Sequence, residues 1–409
     1  MNMETVTPSF ELAERITRMA ESATLAMTQK ARELAGEGHD VISLSVGEPD
    51  FDTPQYVKDA AIKAINEGWS SYSPVPGYPE LKKAIVSKLK RDNGIECGPE
   101  NIVVSTGAKH SLANVILALA NPGDEVIILA PYWVSYSEMV KLAGATPVII
   151  ESSIETDFIP AIEKIEAAIT DKTKAIMFSS PSNPTGTLYP KEYLEQLAAL
   201  VSKHPNIMIL ADEIYEYINY SGQHNSMATI EEVKNQVITV NGFSKGFAMT
   251  GWRVGYICAP AWLAKGVTKI QGQMTSGTCS IAQRASITAY EDTDNLISAT
   301  NQMKEAYLRR RDLIISLVKE IPDIVVNVPQ GAFYIFPDVS AYFGKKTPKG
   351  DVIKDASDLA MFILLDAHVA TVTGDAFGSP NNIRISYAAA DEKIKEAVAR
   401  IKTCLAKLN

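Results

Sequence analysis

Between residues 102 and 258 the chain alternates short apolar runs with longer stretches of helical periodicity, and this alternation restricts the fold more than any other feature. Seven runs, 102–105, 125–130, 146–150, 174–178, 207–211, 236–240 and 253–258, are strand-sized and too short for helices. Apart from a polar residue at one end of most of them and Thr239 within 236–240, they are apolar without alternation, as expected of strands covered on both faces. The sequence therefore predicts an α/β fold around a mostly parallel seven-stranded sheet. Ligands of such sheets collect beyond the carboxyl ends of the strands. Polar and glycine-bearing segments fall at those ends: Ser105-Thr106-Gly107-Ala108-Lys109, the turn 179–186, Asp212-Glu213 and Ser244-Lys245.

A chain of 409 residues outgrows a single core. After a long amphipathic pattern at 295–320 the texture changes to short strands near 324–328, 333–337 and 383–387, between helices at 354–366 and 391–408. This reads as a smaller α+β domain. Ahead of the sheet come a helical pattern at 11–36, a short strand at 41–44, helices at 56–68 and 80–90, and a proline-rich turn at 72–79 expected to be exposed or interfacial. The expected organisation is an N-terminal segment, 1–50, set against the small domain and the active site, a large domain, 51–300, and a small C-terminal domain, 301–409. The 39 basic and 48 acidic residues give a net charge of -9, without a Lys or Arg run that would follow a nucleic-acid backbone. No segment is apolar for the roughly 18 residues a membrane span needs. Four cysteines without CxxC spacing and five histidines without HExxH spacing give no metal site. The expected compartment is the cytoplasm, and the expected partners are small molecules.

Lys245 stands among apolar, small and hydroxyl-bearing residues in Val240 to Tyr256, and an ammonium losing hydration there becomes a nucleophile toward an aldehyde. That is the setting of a Schiff-base lysine. Gly107 opens a strand-to-helix turn whose free backbone N–H groups suit a phosphate monoester. Asp212 ends an apolar strand, where a carboxylate needs a partner: either a core salt bridge or a protonated pyridine nitrogen. Asn183 is presented by a double-proline turn, Tyr215 lies three residues beyond Asp212, Trp133 can stack on a flat ring, and Arg384 in an apolar strand suits a carboxylate clamp. Each taken singly also has an ordinary reading, as surface lysine, helix start, core aromatic or edge-strand arginine.

Taken together, and in chain order, these motifs resemble the fold-type I pyridoxal phosphate enzymes, specifically class I aminotransferases. Ser244-Lys245-Gly246-Phe247 with Gly251-Trp252-Arg253-Val254-Gly255 resembles that family's lysine motif, Asn183-Pro184-Thr185-Gly186 its asparagine motif and Asp212-Glu213-Ile214-Tyr215 its pyridine motif. The resemblance implies that Lys245 carries pyridoxal 5'-phosphate covalently, Asp212 pairs with the pyridine nitrogen, Asn183 and Tyr215 bond the ring hydroxyl and Trp133 stacks on the ring. It also implies that Gly107, Ala108, Ser244 and Arg253 hold the phosphate, with Tyr72 reaching a phosphate across a homodimer interface. Gly47 and Arg384 would clamp the substrate's α-carboxylate.

Tyr132-Trp133-Val134-Ser135-Tyr136 and Ser22-Ala23-Thr24 are similar to bacterial aspartate aminotransferases of the Thermus and rhizobial type. That likeness implies amino-group exchange between aspartate and 2-oxoglutarate, with Lys109, Ser22 and Thr24 receiving the distal carboxylate. Aromatic or neutral amino acids, or prephenate, are the alternative substrates. Two departures stand out. Ala20-Glu21 replaces the Lys-Pro of relatives that take prephenate, and Gly242 lacks the phosphate-binding hydroxyl found three residues before the lysine in animal-type relatives, for which Ser244 is the expected substitute.

Overall fold

The computed structural model describes residues 11–222 and 224–409; residues 1–10 of the predicted N-terminal segment lie outside them. In chain order the strands are β1 (Ile42–Ser43), β2 (Ile102–Ser105), β3 (Glu125–Leu129), β4 (Thr146–Ile150), β5 (Thr173–Ser179), β6 (Met208–Asp212), β7 (Val237–Gly242), β8 (Gly255–Cys258), β9 (Tyr334–Ile335), β10 (Val369–Ala370), β11 (Val372–Thr373) and β12 (Ile383–Ser386). Seven of them form one sheet in the order β2-β8-β7-β6-β5-β3-β4. Neighbours run parallel except where β8 meets β2 and β7. The carboxyl ends of β2, β3, β5, β6 and β7 therefore share one edge with the amino end of β8. That single reversal delivers Arg253, just ahead of β8, to the same edge as the residues that follow the other strands.

The apolar runs are strands because both faces are covered. Successive residues of a strand point to opposite faces. Ile128 enters a core with Val115 and Leu263, whose helices are Ala108–Leu119 and Ala261–Met274. Ile127 enters another with Leu197 of helix Lys191–Val201.

The remaining strands make two small sheets, antiparallel β11-β12-β9 and parallel β1-β10. Their core joins Tyr307 and Ile314 of the long helix Thr293–Val318 to Ile401 of the last helix, Asp391–Leu405, and takes in Tyr215 and Ile218 from beyond β6. Pairing of Ile42 with Val369 ties the N-terminal segment to the C-terminal region.

Three expectations need correction. The pattern at 11–36 is two helices, Glu14–Thr17 and Ala23–Gly36, because the Ala20 N–H donates to the Glu138 carboxylate (2.8 Å) instead of continuing a helix. No strand forms at 324–328, where only an isolated bridge joins Val325 to Asp338 and Val325 stays exposed. The helix predicted at 354–366 begins at Ala356, since Asp355 caps it by accepting from the Ser357 and Asp358 N–H groups, and its end widens into a π turn, Ile363–Ala367.

Candidate active site

The loops at that shared edge enclose a cavity of about 480 Å³. Ser22, Thr24, Gly47, Ala108, Lys109, Trp133, Asn183, Asp212, Tyr215, Ser244, Lys245, Arg253 and Arg384 all line it. Two predicted residues do not. Gly107 backs the wall, and Tyr72 lies away from this cavity, 97% exposed.

Lys245 stands on a tight turn after β7, where the Phe247 N–H donates to the Phe243 carbonyl (3.3 Å) and the Met249 N–H to the Ser244 carbonyl (3.2 Å). A side chain on Gly246 would strike the Tyr217 ring at 2.6 Å, so the turn closes only with glycine there. The Lys245 amine donates to the Gly47 carbonyl at 2.5 Å. Burial depresses its pKa to about 8; Glu48 opposes that shift, and the Arg384 and Arg253 charges reinforce it.

Asp212 closes β6 and is 4% exposed. Its carboxylate accepts from the Tyr136 hydroxyl (2.7 Å) and the Ile214 N–H (3.2 Å), two neutral donors. Burial raises its pKa to about 6, in spite of both hydrogen bonds. A buried anion with only neutral donors has room for one cation, and a ring N–H⁺ meets that need.

The anion cradle is built from backbone. Gly107, at φ 84°, precedes helix Ala108–Leu119, and a Cβ there would sit 2.4 Å from the Arg253 guanidinium. Likewise, a Cβ on Gly255 would lie 2.2 Å from the Ala108 nitrogen, so strand and helix start meet only through glycine. Arg253 holds a left-handed φ of 57°, uncommon for a residue with a Cβ, and donates to the Thr250 carbonyl at 2.8 Å. No carboxylate pairs with it among the described residues. A phosphate fits this combination of helix start and a guanidinium without a carboxylate partner.

Arg384, in β12, is 2% exposed and stacks over Tyr334 and Phe377, 4.6 and 4.9 Å from the ring centroids. It donates to the Asn183 side-chain oxygen (2.9 Å) and the Ser45 carbonyl (2.5 Å), while its Nε has no partner. Lys109 lies 4.8 Å from the centroid of the Trp133 ring, without an acidic partner among the described residues; burial lowers its pKa, and Arg253 adds to the effect.

Among the wall residues that sequence reasoning did not assign to the site, Tyr136, Tyr334 and Glu48 carry polar groups that act on it. Tyr136 follows Trp133 by three positions, one helical turn, which is the only signal that it shares Trp133's site. Tyr334 bonds the Tyr215 hydroxyl at 2.7 Å, and its own hydroxyl would lie 2.4 Å from a Cβ on Gly47, which accounts for glycine there. Since every residue from Ala332 to Phe336 is fully buried, no alternation marks Tyr334 out.

The profile described as "Aminotransferase class I and II" matches residues 39–401. The aspartate/prephenate aminotransferase of Cereibacter sphaeroides is 46% identical over 97% of this chain and 99% of its own length. The crystal structure of the aspartate aminotransferase from Rhizobium meliloti superposes with a TM-score of 0.93 at 42% identity, covering 98% of this chain and all of that one. The solved structure of the Thermus thermophilus aspartate aminotransferase with maleate gives a TM-score of 0.91 at 40% identity, over 97% of this chain and all of that one. With a site of this geometry on that fold, the chain belongs to the class I and II aminotransferase family.

Proposed function

We propose that the chain is a pyridoxal 5'-phosphate-dependent aminotransferase that exchanges the amino group of L-aspartate with 2-oxoglutarate, giving oxaloacetate and L-glutamate. One observation carries the reading: four cations, Lys109, Lys245, Arg253 and Arg384, line a cavity whose only carboxylates among the described residues are Asp212 and Glu48. That surplus suits a phosphate together with a doubly charged substrate. The names of the relatives agree with it.

The residues divide the work by position. Gly107, Ala108, Ser244 and Arg253 would hold the phosphate, and Trp133 would stack on the ring. Asn183 and Tyr215 face the ring hydroxyl, and Asp212 takes the ring N–H⁺. Bound there, pyridoxal phosphate supplies an aldehyde for amino groups and a ring that accepts electrons. Lys245 would hold the group's aldehyde carbon, and its Nζ, once displaced by the substrate amine, would be the base that takes the proton from the substrate's Cα. A pKa near 8 suits an amine that must be neutral to accept that proton. Arg384, with Gly47 behind it, orients the α-carboxylate, while Lys109, Ser22 and Thr24 receive the distal one. Residues 51–300 form the cofactor domain, 301–409 the smaller domain carrying Arg384, and 1–50 the segment that closes the substrate end. In a homodimer, exposed Tyr72 reaches the partner's phosphate.

Borohydride reduction of the protein loaded with pyridoxal phosphate, followed by peptide mapping, tests the covalent assignment. The label is expected on Lys245 and absent from Lys245→Ala, which should not turn over. A label elsewhere, or near-normal transamination by that variant, would reject it.

A further inference from the structure

We propose that Glu138 is a positioning residue for the substrate end of the site: its carboxylate anchors the segment 18–22, so that Ser22 and Thr24 face the cavity. The inference rests on the proposed function of that end as a carboxylate pocket.

Glu138 lies on helix Ser135–Leu142, which starts two residues after Trp133 and carries Tyr136 to Asp212. One carboxylate oxygen accepts from the Ala20 N–H at 2.8 Å, across 118 positions of sequence. The other accepts from Lys141 Nζ (2.8 Å) and Ser137 Oγ (3.2 Å). One short helix thus supports the ring-facing residues and tethers the N-terminal segment.

Little else holds that segment down. Its first helix, Glu14–Thr17, buries no residue, and Ala20 and Glu21 are exposed. A second cavity, of about 510 Å³, lies where Met19, Ala20 and Ser22 meet Ser135 and Glu138, so the segment spans a gap. Apolar packing resumes only at Ala23, against the cluster of Val134 and Phe336, so on its N-terminal side the segment is restrained chiefly by a charge-assisted bond to a largely buried carboxylate. Ser22 is two residues from Ala20, so at most about 3.5 Å of chain per residue separates it from the anchor. At the N-cap position of helix Ala23–Gly36 Ser22 makes no side-chain capping bond, which leaves its hydroxyl for the cavity it lines.

The test combines steady-state kinetics of the loaded enzyme with amide hydrogen exchange of residues 16–24. Glu138→Ala is expected to raise KM for aspartate about tenfold, the scale of one lost charge-assisted hydrogen bond, with kcat nearly unchanged, alanine kinetics unaffected and exchange at 16–24 faster. Glu138→Gln keeps an acceptor for the Ala20 N–H and should restore both readouts; Lys141→Ala should move neither far. Unchanged exchange in Glu138→Ala would overturn the proposal. Lys109→Ala separates it from the reading beneath it. If Lys109→Ala raises the aspartate KM and Glu138→Ala does not, the positioning role fails alone. If neither raises it while exchange still rises, the carboxylate pocket is rejected, and Glu138's substrate role with it. Should circular dichroism show Glu138→Ala unfolded, Ala20→Pro removes the donated N–H and carries the same expectations.

Discussion

The two ends of the cavity are built in opposite ways. At the ring end, Asp212, Lys245 and Arg253 stand at or next to the ends of β6, β7 and β8, fixed by strands buried on both faces and by glycines that admit no side chain. At the substrate end, Ser22 and Thr24 follow a segment whose first helix buries nothing and whose polar link to helix Ser135–Leu142 is the bond to Glu138, with apolar packing beginning at Ala23. Groups that must meet reacting atoms are placed where the protein opens least, and groups that select among substrates where it yields most readily. Disturbing the first end should cost turnover; disturbing the second should change which substrate is turned over.

Asp212→Asn attacks the first end and carries the largest expected effect. An amide cannot neutralise a ring N–H⁺, so kcat should fall on the order of a thousandfold, the scale of a lost electrostatic stabiliser, for every amino acid alike. Equal kcat in Asp212→Asn and wild type, measured with saturating aspartate, would break the contrast at its stronger side.

Lys109→Ala attacks the second end. kcat/KM for aspartate should drop by roughly 10- to 100-fold, the scale of a lost charge-assisted hydrogen bond, while alanine is little affected. Equal losses for both amino acids would mean that Lys109 supports the fold or the cofactor, not specificity.

The smallest effect tests how firmly the ring end is founded. Behind Asp212, Glu213 bonds His224 (2.8 Å) and Ser226 (2.6 Å), while Lys88 and Asn93 meet Glu216. Burial works against a charge on His224, but Glu213 and Glu216 outweigh it and lift the pKa above the usual histidine value. A folded pKa above the unfolded one means that the stabilisation is complete below the unfolded pKa and lost as pH rises through the folded one. The melting temperature of His224→Asn should therefore lie a few degrees below wild type at acid pH and approach it at alkaline pH. A gap that is constant with pH would remove the imidazolium from the foundation.

The contrast also explains what the sequence made legible. All seven sheet runs were found to within two residues because burial on both faces leaves nearly continuous apolar stretches; 253–258 overran at its start because Arg253 and Val254 are loop. The ring-end residues were legible for the same reason: a charged or amide group at the end of an apolar run is conspicuous. The segment around Ala20 was not. Its helical periodicity is real, yet a hydrogen bond from Glu138, distant in sequence, decides where the helix breaks. Tyr136 and Tyr334 stayed hidden because a buried aromatic beside a site looks like any core aromatic, and the hydroxyl contacts that distinguish them join residues 76 and 119 positions apart.

The central claim is that the four cations and Asp212 assemble a site for transferring an amino group between dicarboxylates. Loading the purified protein with pyridoxal phosphate and supplying aspartate with an isotopically labelled amino nitrogen plus 2-oxoglutarate tests it directly by mass spectrometry. The predicted result is labelled glutamate accumulating in step with oxaloacetate. Glutamate without label, or loss of carbon dioxide from aspartate in place of transfer, would contradict it.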